Sequence, residues 1–167
     1  SVNVPPGAAI WIRSASGRET ITNLLHEIPV TSSIQSCEVG LLDGADSPVV
    51  QLWEVLQKNS SQWPASDGKN EIAEVIAGKL VAAKRPALVP IYDQHVAAAL
   101  GYSTGGTFWL RWHCEFADGS LAKRVDEVRT EAAAGHSRSS EIASLTDLRF
   151  LDIVIWRMRS IEPTAGP

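Results

Sequence analysis

The sequence predicts an all-α protein of about seven to nine helices. In most segments, apolar residues recur at spacings of three and four, which is the period of a helix with one buried face. These segments are separated by prolines, glycines and Ser/Asp caps, which start and stop helices. The residues most compatible with a strand are 88–92, and Pro90 within them argues against a central strand.

Four helices are predicted in the first half of the chain. They comprise residues 8–13 after Pro5–Pro6, 17–28 up to Pro29, 48–58 behind Asp46–Ser47, and 71–84 up to Arg85–Pro86. The fourth helix has Ser66 or Asp67 as its expected N-cap, which would accept a hydrogen bond from an early helical amide. Residues 31–44 form either a short helix or an irregular loop.

Four more helices are predicted in the second half. They comprise residues 94–100 between Asp93 and Gly101, the aromatic stretch 108–116, the charged stretch 118–134 up to Gly135, and 148–159. The last of these is expected to start at a capping box, Ser144 to Asp147, with Leu148, Leu151, Ile155 and Met158 on its apolar face. Residues 136–143 are predicted to be a loop or turn.

Size and composition predict a single domain over residues 1–160, followed by a disordered tail over 161–167. The chain has 167 residues, of which 44% are hydrophobic and 20% charged, as is ordinary for a soluble globular protein. The formal net charge of −4 counts against non-specific nucleic-acid binding. No apolar run is long enough to span a membrane, so no membrane association is expected. Cys37 and Cys114 are interpreted as reduced thiols of a cytoplasmic protein.

Known motifs for phosphate, dinucleotide or zinc-protease chemistry are absent from the sequence, as is a nucleophile elbow. The four histidines are scattered, and no two of them lie one helical turn apart. Neither a metal site nor a cofactor is therefore predicted.

Asp93 is the leading candidate for chemistry. It follows the apolar run Val89–Pro90–Ile91–Tyr92 and precedes a predicted helix. One interpretation is an N-cap that contributes about 1 kcal/mol. The other is a catalytic carboxylate that activates a water or stabilises an oxocarbenium-like cation, since helix amides favour the ionised form. Both interpretations stay open, because a cap can also be catalytic.

Residues 89–96, Val-Pro-Ile-Tyr-Asp-Gln-His-Val, resemble the V-P/A-V-D-x-H-V loop of the helix-hairpin-helix DNA glycosylase superfamily (endonuclease III and relatives), with one residue inserted before the Asp. Residues 68–76 weakly resemble the hairpin and second helix of that superfamily. The resemblance implies a helix-hairpin-helix glycosylase-like arrangement, with Asp93 as catalytic carboxylate and His95 supporting it. The lyase lysine of the superfamily would fall at Glu71 or nearby Lys69, which implies an Asp-only enzyme.

A second resemblance covers most of the chain. It is to an uncharacterised bacterial family with the pattern K-R-P-x-L-h-P-h-Y-D followed by L-R-h-L-D-h-h-h-W, here residues 84–93 and 148–156. This resemblance implies no activity.

Five further residues are candidates for ligand binding. Tyr92 would line a pocket beside Asp93, and Lys84 and Arg85 would contact phosphates; the alternative for Arg85 is a charge at a helix C-terminus. Asp152 either forms a salt bridge, with Arg85, Lys84 or Arg149, or faces the same pocket as Asp93. Trp156, like Trp109 and Trp112, either packs in the core or offers a stacking surface.

Three functions remain open at this point. The first is a DNA glycosylase-like enzyme that hydrolyses a nucleobase N-glycosidic bond in DNA or in a nucleoside-like small molecule. The second is a non-catalytic helical module that binds DNA, a protein or a small ligand, with Asp93 only a helix cap. The third is a small-molecule enzyme of another class on a helical scaffold.

Overall fold

The structure, a computed structural model, describes residues 4–58, 72–91, 93, 96, 98, 101, 107–135 and 137–161. In these residues there are eight α-helices, one 3₁₀ helix and no strand, which confirms the predicted all-α class. The α-helices are α1 (Pro6–Arg13), α2 (Ala15–Glu27), α3 (Pro48–Lys58), α4 (Glu74–Lys84), α5 (Thr107–Phe116), α6 (Ser120–Ala134), α7 (Ser139–Ala143) and α8 (Asp147–Ile161). The chain divides into two compact units, residues 1–32 with 37–85 and residues 33–36 with 86–167. One domain over residues 1–160 stays a prediction.

The first unit packs its helices in chain order, α1 on α2, α2 on α3, and α3 on α4. Gly17 allows the close approach of α2 to the end of α1, since a Cβ there would lie 2.1 Å from the carbonyl oxygen of Trp11. The Trp53 indole N–H donates to the carbonyl oxygen of Glu74 at 3.1 Å and so ties α3 to α4. The core consists of Ala8, Trp11, Ile28, Leu42, Val49, Leu52, Leu56, Ile72, Ala77, Val81 and Ala82.

Helix starts in the first unit follow the predicted chemistry in part. Ser47 caps α3, because its hydroxyl accepts from the Val50 amide at 3.2 Å and donates to the Leu41 carbonyl at 2.6 Å. Helix α4 begins three residues later than predicted, since Ile72 is buried in a non-helical stretch and Ala73 is extended. The predicted caps Ser66 and Asp67 lie outside the described residues. Residues 31–44 are a loop apart from the 3₁₀ helix Val39–Leu41.

The second unit packs α6 against α5, α7 and α8. Its core consists of Ile34, Leu88, Val89, Val96, Phe108, Trp109, Trp112, Phe116, Val125, Leu148 and Phe150. Along α5, the Trp112 ring lies edge-on to Phe108 at 6.3 Å and stacked on Phe116 at 6.1 Å between centroids. The core interpretation of Trp109 and Trp112 is confirmed.

Three predictions in the second unit are corrected. The predicted loop 136–143 contains the short helix α7, which packing on α6 stabilises in the absence of a side-chain cap. Helix α8 is capped by Thr146, whose hydroxyl accepts from the Arg149 amide at 3.4 Å, whereas the Ser144 hydroxyl donates back to Glu141. Met158 is 64% exposed and does not lie on a buried face. Of the predicted tail, only Ile161 is described, and it ends α8.

Candidate functional site

Asp93 lies in the second unit, directly downstream of a buried stretch. Leu88, Val89 and Pro90 are buried, while Asp93 itself is partly exposed and non-helical. Helical residues follow at Val96 and Ala98, and Gly101 adopts the left-handed φ of 68° that is typical of a residue just past a helix end. The carboxylate is therefore neither sealed in the core nor on a fully solvated loop. Tyr92 and His95 lie outside the described residues.

Arg85 has a structural role in the first unit. Its side chain is buried, and the guanidinium donates from Nε to the Ile28 carbonyl at 2.6 Å, from Nη1 to the Lys84 carbonyl at 2.9 Å, and from Nη2 to the Leu25 carbonyl. Leu25 and Ile28 are at the C-terminus of α2, where a cation near the last carbonyl groups is favourable. Burial lowers the pKa of Arg85. The geometry matches the alternative interpretation of Arg85, a charge at a helix C-terminus.

Lys84, the last residue of α4, is exposed and remains able to meet a phosphate. It is adjacent in sequence to the buried Arg85 but differs from it in burial. The predicted phosphate pair therefore consists of one solvent-facing cation and one cation bonded to backbone.

Asp152 and Arg149 interact on α8. Burial lowers the pKa of Arg149, and the nearby negative charge of Asp152 partly offsets this by raising it. Arg149, one of the three salt-bridge partners considered for Asp152, is therefore a group on which its charge acts.

Trp156 lies on the outer part of α8 and is 54% exposed. A core role for this tryptophan is wrong, because its side chain is exposed, whereas the buried side chains in the described part of α8, Leu148 and Phe150, are near the start of the helix. The exposed ring offers an apolar face of the kind on which bases or apolar side chains stack.

A cluster not predicted from the sequence lies between α6 and α8. Arg129 on α6 donates to Asp126 at 2.6 Å, and to both the Asp147 carboxylate at 2.7 Å and the Leu145 carbonyl at 2.8 Å. Burial by itself would lower the pKa of Arg129, but the hydrogen bonds and charges of the two aspartates raise it. One signal in the sequence could have identified Arg129: it follows the buried Val125 by four residues, on the same helical face.

The segment 33–36 is fixed to the second unit through both backbone groups of Ile34. Its amide donates to the Ala87 carbonyl at 2.9 Å, and its carbonyl lies 2.6 Å from Nδ1 of His113. A carbonyl oxygen only accepts, so Nδ1 of His113 carries the proton. This segment brings Ser33 and Gln35 beside Arg129 and Asp147, around a cavity of about 300 Å³.

Metal and membrane features are limited in the part of the chain that the structure describes. Its residues contain no group of three or more His, Cys, Asp or Glu side chains arranged to hold a metal ion. None of its helices combines the length and apolar character required to cross a bilayer. Neither Cys37 nor Cys114 is in a disulfide.

Comparison with known proteins gives one match. The model of a family of unknown function, DUF6308, matches residues 1–159. No curated protein and no solved structure matches the chain.

Proposed function

The chain belongs to DUF6308, a family of unknown function, and we propose that it is a DNA glycosylase-like hydrolase with Asp93 as its catalytic carboxylate. The reaction is hydrolysis of a nucleobase N-glycosidic bond. Asp93 activates the attacking water or stabilises the oxocarbenium-like sugar, and the base leaves with the bonding electron pair and takes up a proton. His95 supports Asp93, Tyr92 lines the base pocket, and Lys84 contacts a phosphate.

The position of Asp93 is the observation that supports this proposal. The residue is partly exposed, follows the buried residues Leu88–Pro90 and precedes helical residues. A helix N-terminus behind a carboxylate favours its ionised form, which is the form that both catalytic roles require. The resemblance of residues 89–96 to the glycosylase loop supports the same assignment and would extend to a helix-hairpin-helix arrangement.

The test compares the wild-type chain with Asp93→Asn on oligonucleotides that carry damaged or mismatched bases, scored for abasic sites. Asparagine also caps helices, so the substitution removes the charge with little effect on the cap. We expect activity to fall by about 10²–10⁴-fold, the range of general acid–base catalysis. Asp118→Asn is the matched control, since Asp118 also precedes a helix of the second unit, and it should leave activity unchanged. Equally negligible activity in the wild type and in Asp93→Asn would refute the proposal for these substrates.

The second candidate function is a non-catalytic helical binding module. Arg85 favours it, because the guanidinium proposed to hold a phosphate is bonded to three backbone carbonyls. The net charge of −4 also counts against a DNA ligand. This candidate predicts equal binding by the wild type and Asp93→Asn, with no product. Weak salt dependence would indicate a ligand other than DNA, since phosphate contacts release counterions.

A further inference from the structure

The second unit contains a cavity of about 300 Å³ whose polar wall comes from three separate parts of the sequence. Segment 33–36 contributes Ser33 and Gln35, α6 contributes Arg129, and the start of α8 contributes Asp147. Ala87, which is partly exposed, adds an apolar surface. This volume is at the lower end of the range for small-molecule sites, and an apolar wall with a few convergent polar groups is typical of them.

Arg129 is held in one orientation at this cavity. Its side chain is 15% exposed, and its bonds to Asp126, Leu145 and Asp147 join α6 to the residues that start α8. The guanidinium is charged, and the hydrogen bonds and charges of the carboxylates raise its pKa despite burial. A ligand group therefore meets a cation that is already positioned, which reduces the entropy lost on binding.

Arg129 retains donors that the described residues do not use. A guanidinium has five N–H groups. Both N–H groups of Nη1 and one N–H group of Nη2 donate to acceptors among the described residues. The Nε–H and the second N–H of Nη2 can therefore donate to another acceptor. Asp147 accepts from Arg129 through Oδ1, so its Oδ2 is able to accept from a ligand. The wall thus offers both a donor and an acceptor.

The charges at this wall decide which class of ligand the Arg129 donor and the Asp147 acceptor can bind. Arg129 carries one positive charge against the two negative charges of Asp126 and Asp147. An anion would be attracted by Arg129 but repelled by both carboxylates. An ammonium ion has no acceptor for the Arg129 N–H groups. A neutral group with an acceptor beside a donor satisfies both sides of the wall.

We propose that this cavity binds a small uncharged molecule through a carboxamide or lactam group. The ligand C=O accepts from an Arg129 N–H, the ligand N–H donates to Asp147, and the apolar part of the ligand lies toward Ala87. The site is separate from the Asp93 chemistry proposed above and does not depend on it.

The first experiment titrates the full chain with benzamide and with benzoate, which share a ring and differ in the neutral or anionic group. Binding is followed by calorimetry and by amide chemical shifts. We expect saturable millimolar binding of benzamide, shifts concentrated at Ser33, Gln35 and Thr146, and benzoate at least about tenfold weaker. Benzoate binding as tightly as benzamide would overturn the proposal. Absence of saturable benzamide binding, or shifts confined to other residues, would also overturn it.

The second experiment changes the charge of the wall. Asp147→Asn removes one carboxylate, so the preference for benzamide over benzoate should fall about tenfold. Gln35→Lys adds a cation without touching the Arg129 bonds and should shift the preference in the same direction, which keeps the test informative if Asp147→Asn is poorly folded. Arg124→Lys is the control, since Arg124 is on the same helix with a side chain that is 78% exposed. A preference unchanged in Asp147→Asn and Gln35→Lys would refute the assignment. Asp93→Asn should bind benzamide like the wild type, so this result is distinct from loss of hydrolysis.

Discussion

Replacement of Arg85 by alanine tests whether this residue stabilises the first unit or contacts a ligand. The substitution removes the guanidinium hydrogen bonds to the Leu25, Ile28 and Lys84 carbonyls. The Leu25 carbonyl still accepts from the Ile28 amide at 3.3 Å, so the Ile28 carbonyl is the one at the end of α2 that loses the donor that the structure describes for it. A hydrogen bond from a charged group contributes about 1.5–3 kcal/mol. Two effects offset part of this loss: water can enter the new space and bond to the carbonyls, and the variant no longer pays the desolvation cost of a buried cation. We therefore expect the free energy of unfolding to fall by about 2–4 kcal/mol, less than two full bonds would give.

Urea denaturation measures this loss directly, and thermal melting should show a decrease of about 6–12 °C for a loss near 3 kcal/mol in a chain of this size. Lys84→Ala is the control, because Lys84 is adjacent and exposed and should change stability by less than about 0.5 kcal/mol. Arg85→Lys should fall between the two, since an ammonium keeps the charge but cannot reproduce the planar fork. Amide exchange should accelerate most at the C-terminal turn of α2.

The reasoning would be refuted if Arg85→Ala were as stable as Lys84→Ala. A phosphate contact makes a different prediction for the same variant. Stability would be unchanged, and the salt dependence of nucleic-acid binding would fall by about one counterion. The two roles of Arg85 are therefore separated by one pair of measurements.

Two further predictions concern a close approach and a carboxylate that precedes a helix. Gly17→Ala should lower the free energy of unfolding by about 1–3 kcal/mol, measured by urea denaturation, because the new Cβ overlaps the Trp11 carbonyl. Gly40→Ala is the control and should be close to neutral, because a Cβ there has open space around it. Hydrogen bonds from Ser120 lower the pKa of Asp118, so its contribution to stability is present above the ordinary aspartate pKa and is lost as pH falls through the lowered value. The melting temperature of the wild type should therefore exceed that of Asp118→Asn at neutral pH, and the gap should close as the pH falls below the ordinary aspartate pKa. A gap that is constant with pH would contradict this cause.

The sequence was informative where local chemistry decides the structure. Pro48 and Ser47 predicted the start of α3, and Gly101 predicted a left-handed residue, because caps and glycines act on their own neighbours. The same local logic failed for α7, whose five residues have no side-chain cap and depend on packing against α6. It could not decide between the two interpretations of Trp156 either, because apolar spacing does not say whether a partner covers that face.

The two candidate sites also differ in how far the sequence alone can predict them. Asp93 stands out in the sequence because a carboxylate after an apolar run is locally unusual, and its position is compatible with both a cap and a catalytic group. The Arg129 site was not evident from the sequence, because two of its three partners are 16 and 18 residues away and its cavity wall includes segment 33–36. Such contacts are created by the packing of α6 and α8 and by the two bonds of Ile34.

Both proposals concern the second unit, and the way each unit uses its polar groups supports them. In the first unit, the buried polar side chains Ser47 and Arg85 bond to backbone within that unit, where they join or cap structural elements. In the second unit, Arg129 is held by carboxylates yet retains N–H donors beside a cavity. A charged side chain that its neighbours hold in place, but that still has free donors, is suited to ligand recognition. Its conformational entropy is already lost on folding, so ligand binding does not have to offset that cost. The second unit also carries Asp93. Substitutions at Asp93 and Asp147 should therefore alter activity and binding, whereas those at Arg85 should alter stability.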